Sequence, residues 1–430
     1  MPKIVLIGAG SMVFAKRLIG DILTFPALSN GTISLVDIDR EKLETMVAVA
    51  RRMAQQAGTN TRIEASADRR DVLAGADYVI ISIRVGGVEG VIKDHEIPMR
   101  YGVDHSVADT MGPGGVFYFL RNGPAILDIL RDVEKLAPDA LVIQYTNPMA
   151  MNCWLANEAT SVRNVGLCHS VQGTAFRLAE YIGAPREEVR YWVAGINHMA
   201  WFLQLTWRGQ DAYPLLWQAM QNPEIYARDK VRFEIMRHFG YFVTESTRHM
   251  SEYVPYFRRT RELTEQYAPP SAANLENYVA WRMRRDESFQ QMRDLLASGA
   301  EIPFERTHEY CTYILNAIET DTPFSFNGNV RNTGLITNLP PDCVVEVPIL
   351  ANGTGLHPCY VGKLPPELAA LNASNIYVQE LAVRALLTGD RELVYRAVQL
   401  DPLTAATVTL PDIRKMVDEL FTAHAEYLTI

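Results

Sequence analysis

Cysteine and histidine, two residue types that bind transition metals, each stand where an apolar run of the chain ends. Cys168 closes the run NVGLC, and His198 follows the run VAGIN thirty residues later. A thiolate and an imidazole together suit Mn²⁺, Fe²⁺ or Co²⁺ and leave coordination positions open for substrate oxygens. Two protein ligands are too few for a closed structural zinc site. Because a buried cysteine usually packs as a small apolar residue, spacing alone favours packing over metal binding here.

A glycine-rich turn near the start of the chain is suited to bind a dinucleotide. Gly8 and Gly10 follow the apolar run KIVLI, and Ser11 and Met12 open a segment with helical spacing. Glycines let the backbone approach a pyrophosphate, and a helix N-terminus offers free N–H groups. Val13 replaces the third glycine of the usual G-x-G-x-x-G pattern. The alternative is an ordinary strand–turn–helix connection.

An acidic residue ends the second apolar run, TISLVD, at Asp37. In dinucleotide-binding folds a carboxylate at this point binds the adenosine ribose hydroxyls. It favours NAD over NADP, because it would repel a 2′-phosphate. A helix-capping aspartate is the alternative.

Polar side chains gather at three further places where loops are predicted. Asn147 ends the fifth predicted strand, where its amide can face the cofactor or a substrate hydroxyl. Asp109 begins the glycine-rich run DTMGPGG, for which a plain helix-entry turn is the alternative. Residues 244–253, TESTRHMSEY, form one polar stretch, for which a solvated helix face is the alternative.

The elements that position these residues alternate between strand and helix through the first half of the chain. This rhythm predicts an α/β fold with a Rossmann-type, doubly wound parallel sheet over residues 1–195. The predicted strands are Lys3–Gly8, Thr32–Asp37, Arg62–Ser66, Asp77–Ser82, Leu141–Tyr145 and Asn164–Cys168. The predicted helices are Met12–Phe25, Glu41–Ala57 and Val116–Lys135.

The rhythm changes after about Gly195, and residues 196–430 are predicted to form an α+β domain for substrate, metal and subunit contacts. No Pro/Gly/Ser linker separates the halves, so we expect tight packing in a lactate/malate dehydrogenase-like architecture. The predicted strands are Met199–Arg208, Pro323–Asn327 and Cys343–Pro348. The predicted helices are Asp229–Phe239, Ala272–Ala297, Thr307–Ile318, Pro366–Leu387, Arg391–Gln399 and Asp412–Tyr427.

The amino-acid composition and net charge limit the kinds of molecule that the chain is expected to bind. The 430 residues carry 41 Lys+Arg against 50 Asp+Glu, a net charge of -9. Such an acidic chain is a poor candidate for binding nucleic acid or anionic membranes. No signal-peptide pattern or long apolar window is present, and five cysteines are an odd number without close spacing. We therefore expect a cytoplasmic protein without a disulfide framework.

Several of these motifs together resemble glycoside hydrolase family 4, and most closely its melibiase-type α-galactosidases. The resemblance rests on GAGS, ADTMGPGG, TNPMAMN, GLCHSVQGT, AGINHMAWF, GYFVTES and NVRNTGLITNLP. It runs from about residue 3 to residue 426. The strings CHSVQGT and AGINHMA are its most specific part.

The resemblance implies an unusual glycosidase that needs NAD and a divalent metal, typically Mn²⁺. Hydride leaves the sugar C3 for NAD⁺, a base removes the acidified C2 proton with help from the metal, and the glycosidic oxygen leaves C1. Water then adds to C1, and hydride returns to C3. Family members are usually dimers or tetramers, so a homodimer or homotetramer is expected.

The resemblance also assigns residues. Cys168 and His198 match the family's metal ligands, while Gly8, Gly10, Ser11, Met12 and Asp37 match its cofactor loop and ribose contact. Asn147 matches a residue between cofactor and substrate, and Asn197 is expected to bind substrate. His169 stands where phosphoglycosidase members have Asp or Asn, and is a candidate acid or substrate-hydroxyl partner.

The base that removes the C2 proton is left open by the resemblance. Members use a tyrosine or an aspartate in the segment that corresponds to GYFVTESTRHMSEY. That segment offers Tyr241, Glu245, His249, Glu252 and Tyr253. We expect His249 and Tyr253 to be catalytic-site residues together with Asp109.

One departure concerns substrate choice. Arg84, expected to lie near the cofactor, stands where a glutamine is expected in enterobacterial melibiases. An arginine there can bind a carboxylate. An α-galacturonide, α-glucuronide or α-glucoside therefore stays open as an alternative to an α-galactoside.

Two other classes of protein compete with the glycosidase hypothesis. A metal-free 2-hydroxy acid dehydrogenase shares the architecture, but it needs an arginine set for a carboxylate and an Asp–His dyad. A non-catalytic NAD sensor would keep the glycine loop and Asp37 but would not need His169 or His198. The Cys168/His198 pair speaks against the dehydrogenase.

Overall fold

The computed structural model describes residues 1–268 and 287–430, and their strands join into one mixed sheet. In chain order the strands are β1 (Lys3–Ile7), β2 (Thr32–Val36), β3 (Arg62–Ser66), β4 (Tyr78–Ile81), β5 (Leu141–Gln144), β6 (Arg163–Gly166), β7 (Val189–Ile196), β8 (Met199–Trp207), β9 (Gln210–Asp211), β10 (Phe324–Arg331), β11 (Val344–Asn352) and β12 (Gly355–Pro358). Across the sheet their order is β3-β2-β1-β4-β5-β6-β10-β11-β7-β8-β9, with β12 paired to β11.

The first six strands are parallel and have the 3-2-1-4-5-6 order of a dinucleotide-binding sheet. Apolar residues run without a break through β1 because a buried core lies on each of its faces. Ile4 and Leu6 belong to one core, and Val5 and Ile7 belong to the other. The predicted α/β fold with a Rossmann-type sheet is confirmed.

The sheet continues past β6 into an antiparallel half. β10 joins β6 through Asn329 and Gly166, and β11 joins β7 where Glu346 faces Gly195. β7 and β8 form a hairpin whose connection carries His198. The expected boundary between residues 1–195 and 196–430 falls at this hairpin, and the division into two domains stays a prediction.

Helices cover both faces of the sheet and gather again at the end of the chain. In chain order they are α1 (Phe14–Thr24), α2 (Arg40–Gln56), α3 (Arg70–Leu73), α4 (Gly87–Arg100), α5 (Gly112–Leu136), α6 (Met149–Ala159), α7 (Ser170–Tyr181), α8 (Tyr213–Ala219), α9 (Pro223–Arg228), α10 (Lys230–Phe239), α11 (Thr247–Met250), α12 (Arg261–Tyr267), α13 (287–298), α14 (Tyr310–Thr320), α15 (Pro366–Thr388), α16 (Arg391–Leu400), α17 (Pro402–Thr407) and α18 (Leu410–Ala423). None of the helices within the described residues is long and apolar enough to cross a membrane.

Helix boundaries differ from the sequence prediction in places that have physical causes. The helix predicted from Val116 begins at Gly112, so the last four residues of the glycine-rich run, GPGG, belong to α5 rather than to a loop. Gly112 has φ +70° and a Cβ there would come within 2.2 Å of His105, so only glycine fits. α6 was not predicted because its residues Met149–Ala156 are all buried, which removes the amphipathic period. In the predicted helix Ala272–Ala297, residues 272–286 lie outside the described residues.

Candidate active site

The glycine turn after β1 is shaped by close backbone approach. Gly8 has φ +90°, and a Cβ there would lie 2.0 Å from the carbonyl oxygen of Ser82. Gly10 donates its N–H to Asp37 Oδ2 at 2.7 Å, and a Cβ on Gly10 would also come within 2.7 Å of that oxygen. Asp37 is therefore fixed against the turn, where its carboxylate can also meet a ribose.

The other residues predicted for the cofactor surround this turn. Ser11 Oγ accepts from the N–H of Phe14, at the start of α1. Met12 is buried and lines a cleft of about 480 Å³ between α1 and residues 303–307. Arg84 is exposed and lies beside the hydroxyl of the buried Tyr118. Of these predicted cofactor residues, Met12 alone is among those that line this cleft.

Cys168 and His198 meet as the sequence predicts, and a glutamate joins them. His198 Nε2 lies 3.2 Å from Cys168 Sγ and 3.5 Å from Glu245 Oε2. One ligand atom from each residue lies within 4.8 Å of the other two. A thiolate, an imidazole and a carboxylate form a donor set that fits a divalent transition metal. The residues present therefore suit the ion that the sequence resemblance implies.

The charges of these groups alter one another's protonation. Burial raises the pKa of the Cys168 thiol, but the neighbouring His198 outweighs it and brings that pKa down to about 7. Burial lowers the pKa of His198, whereas the charges of Cys168 and Glu245 raise it to about 10. Cys168 is thus poised to be a thiolate, the form that binds a metal.

A hydrogen-bonded line runs from His198 away from the thiol. His198 Nδ1 contacts the hydroxyl of Tyr253 at 3.0 Å, and Tyr253 contacts His249 Nδ1. His249 Nε2 lies 3.3 Å from Asp109 Oδ1, and Asn147 donates to Asp109 Oδ2 at 3.1 Å. The line therefore connects the candidate metal ligands with the candidate cofactor side of the site.

Burial and the contacts within this hydrogen-bonded line shift the pKa values of its side chains. Burial raises the pKa of Asp109, but the hydrogen bond from His249 and the charges of His249 and His198 outweigh it and hold the pKa below its ordinary value. Burial lowers the pKa of His249, but the hydrogen bond to Asp109 and the charges of Glu245 and Asp109 together outweigh it and raise that pKa. Burial raises the pKa of Tyr253 far above its usual range. A proton that enters this line is therefore shared among groups of very different basicity.

Glu252 and Tyr241, two further candidates in the polar stretch, lie apart from this line. The Glu252 carboxylate accepts the backbone N–H groups of Ser106, Val107 and Ala108, at 2.7, 2.6 and 3.2 Å. It clamps the loop that carries Asp109. Tyr241 is half-buried.

His169 has a partner that the sequence did not indicate. Its Nε2 lies 2.6 Å from Oε2 of the buried Glu309, whose other oxygen accepts from Tyr145. This hydrogen bond is the largest cause that raises the pKa of His169. Glu309 caps α14 by accepting from the N–H of Cys311. Glutamate is not among the usual capping residues, so the sequence pattern does not mark Glu309 as the cap of α14.

Two buried polar side chains at the site lack a partner. The amide of Asn197 is 3% exposed, and neither its oxygen nor its nitrogen finds a hydrogen bond within the described residues. The carboxyl of Glu346 is fully buried and is likewise unpartnered there. Burial raises the pKa of Glu346 far above its usual range. Unpaired groups at this depth call for a ligand or ordered water.

Known proteins match the chain along its length. The Family 4 glycosyl hydrolase profile matches residues 3–184, and that of the Family 4 glycosyl hydrolase C-terminal domain matches residues 193–404. An alpha-galactosidase of Bacillus subtilis (strain 168) is 41% identical over 432 residues, covering 100% of this chain and 99% of its own. An alpha-galactosidase of Rhizobium meliloti (strain 1021) is 36% identical, covering 99% and 89%.

Solved structures share the fold. A 6-phospho-alpha-glucosidase from gut microorganisms, in complex with NAD and Mn²⁺, has a TM-score of 0.84 at 18% identity and covers 99% of each chain. Lactate dehydrogenase from Eimeria maxima has a TM-score of 0.57 at 15% identity over 90% of this chain and 96% of its own, which confirms the predicted dehydrogenase-like architecture. With both profiles matched and a relative 41% identical over its full length, this chain belongs to glycoside hydrolase family 4.

Proposed function

We propose that this protein hydrolyses α-galactosides with the help of NAD and a divalent metal ion, Mn²⁺ in the first place. The observation that carries the proposal is the Cys168/His198 pair, which hydrogen bonds link to Asn147. Asn147 follows β5 at the same edge of the parallel sheet as the dinucleotide turn that follows β1. The 41% identity to a Bacillus subtilis alpha-galactosidase supports the substrate class.

In this proposal the chain's own residues hold the two groups. The cofactor lies on Gly8, Gly10, Ser11, Met12 and Asp37, with Arg84 and Asn147 beside it. Cys168 and His198 bind the ion. When bound, these groups supply hydride transfer at the sugar C3 and Lewis-acid stabilisation of the charge that develops at C2.

The remaining site residues bind the sugar and move protons. His169, exposed and held by Glu309, donates a proton to the glycosidic oxygen as it leaves C1. The C2 proton passes to the line of Asp109, His249 and Tyr253. Asn147 and the unpartnered Asn197 bind sugar hydroxyls.

The test uses purified enzyme stripped with EDTA and then supplied with Mn²⁺, NAD⁺ and a thiol reductant. The reductant is needed because a ligating thiolate is open to oxidation. We expect release of p-nitrophenol from its α-galactoside only when metal and NAD⁺ are both present. Release from the α-galacturonide or α-glucoside instead would move the substrate to that sugar.

No release from any of the three substrates would overturn the glycosidase proposal. Net NADH formation from a 2-hydroxy acid without metal would instead support a dehydrogenase. We also propose that the enzyme is a homodimer or homotetramer, which light scattering on the purified protein measures.

A further inference from the structure

We propose that Glu245 is a third protein ligand to the divalent ion, beside Cys168 and His198. The proposal rests on the function proposed above, because it concerns the same ion. The distances of 3.5 Å and 3.2 Å from His198 Nε2 to the carboxylate and the thiol place all three donor atoms around one point. Their separation, within 4.8 Å, is one that metal–ligand bonds of about 2.0–2.3 Å can span.

The backbone brings Glu245 to His198 through the first residues of β8. Thr244 donates its N–H to the carbonyl of Ala200 at 2.8 Å, and Ala200 donates its own to Thr244 Oγ1 at 3.0 Å. Both Glu245 and His198 adopt left-handed backbone conformations, with φ values of 74° and 65°. Such strained backbone conformations are concentrated at functional sites.

Charge balance supports a carboxylate ligand at this position. The Cys168 thiolate and the Glu245 carboxylate bring two negative charges within 4.8 Å of each other. A buried pair of like charges is unfavourable unless it is compensated. A dication compensates both charges and lets His198 bind as a neutral imidazole.

The unpartnered carboxyl of Glu346 is an independent sign that a ligand belongs here. It is fully buried, and the charges of Cys168, His198 and Glu245 act on it. Neither of its oxygens has a hydrogen bond among residues 1–268 and 287–430. An ion with its bound water is a ligand that could supply one.

Three protein ligands would match the pattern of catalytic metal sites, which keep positions open for substrate. Glu245 would then act on the sugar only through the ion. The C2 proton would still pass to Asp109, His249 and Tyr253. The rival role for Glu245 is that of a direct base, and the two roles differ in whether metal affinity changes.

The experiment measures Mn²⁺ binding to full-length wild type and Glu245→Gln by electron paramagnetic resonance of free Mn²⁺. We expect the variant to bind Mn²⁺ at least about 10-fold more weakly, with NAD⁺ affinity unchanged. Glu245→Asp should recover part of the affinity. Glu96→Gln, which neutralises an exposed carboxylate of α4, is the matched control and should bind Mn²⁺ like wild type. In the Co²⁺-loaded proteins, the visible absorption bands of Glu245→Gln should differ from those of wild type. The bands of Glu96→Gln should match those of wild type.

Wild-type Mn²⁺ affinity in Glu245→Gln would overturn the ligand assignment, and a loss of turnover in that variant would then point to the direct base. A different result separates this inference from the proposed function. If Glu245→Gln binds Mn²⁺ weakly but wild type cleaves no α-glycoside, the function fails and the ligand assignment stands.

Discussion

At the scale of single residues, His169 and Glu309 form a pair in which a buried carboxylate fixes an exposed imidazole. The contact uses His169 Nε2, so Nδ1 is the nitrogen that can serve the leaving oxygen. Glu309 is 3% exposed and is also held by Tyr145. We therefore regard it as a positioning residue for the general acid.

We expect Glu309→Gln to lower kcat on melibiose by about 100-fold, the usual scale of general acid catalysis. The loss should be much smaller on p-nitrophenyl α-galactoside, because that leaving group needs little protonation. Glu319→Gln, which changes a glutamate that accepts from Tyr78 at 2.7 Å in the same helix, is the control. Equal losses on both substrates would indicate a purely structural role.

Cys168 offers a second test at this scale. We expect Cys168→Ser to lose nearly all turnover, because a neutral serine hydroxyl is a far poorer ligand for a divalent metal ion than an anionic thiolate. NAD⁺ binding, followed by fluorescence titration, should stay within a few-fold of wild type. Cys153→Ser is a control, since Cys153 is buried among apolar residues. Retained activity in Cys168→Ser would show that the metal assignment is wrong.

The sequence alone predicts those candidate site residues that stand at the ends of predicted strands. Cys168, His198 and Asn147 stand at strand ends, so the sheet brings them together. Glu309 could not be found in this way, because it meets His169 across 140 residues of chain. Glu252 looked like a base candidate in the sequence, and only tertiary contacts reveal that it binds three backbone amides.

At the scale of elements, the turn between β1 and α1 depends on a residue without a side chain. A Cβ on Gly8 would collide with the carbonyl oxygen of Ser82, which directly follows β4. A residue with a side chain would also be strained at the positive φ of this position. We expect Gly8→Ala to weaken NAD⁺ binding at least 10-fold and to lower the melting temperature. Gly75→Ala is the control, since Gly75 has φ +72° but nothing within 4 Å of the added Cβ. Similar effects from both substitutions would mean that strain alone, not the close approach, makes glycine necessary at Gly8.

Secondary structure could be predicted from the sequence where a segment buries one or both of its faces. The strands of the parallel half lie within one or two residues of their predicted bounds, because continuous apolar runs mark four of the six, β1, β2, β4 and β5. The residues that join β6 to β10 and β11 to β7 carry no such mark. Asn329, Glu346 and Gly195 are polar or small, so no apolar run predicts that the two halves share one continuous sheet.

At the scale of the whole molecule, one buried carboxyl should make stability depend on pH. Burial raises the pKa of Asp401, which caps α17, from 3.8 to about 6, although Thr404 donates two hydrogen bonds to it. Because the folded-state pKa is above the unfolded one, the stability from the protonated form is complete below about pH 4. It is lost as the pH rises through about 6.

We therefore expect the unfolding free energy of wild type to fall by about 2 kcal/mol relative to Asp401→Asn between pH 4 and pH 7. Asparagine keeps the cap but cannot ionise. Urea denaturation of both proteins across this range measures the difference. Asp390→Asn, at the exposed cap of α16, is the control and should follow wild type. Parallel curves for wild type and Asp401→Asn would contradict the prediction.

The strand order has a consequence for the growing chain on the ribosome. β7, β8 and β9 leave the ribosome well before β10 and β11, yet in the sheet of the described residues these two later strands join them to the parallel half. The parallel half can pair its strands once Gly166 has emerged, whereas the hairpin that carries His198 has no inner neighbour until residues 344–352 are made. The sheet is therefore joined next to His198 only after residues 344–352 have been made, although Cys168, His198 and Glu245 emerge much earlier.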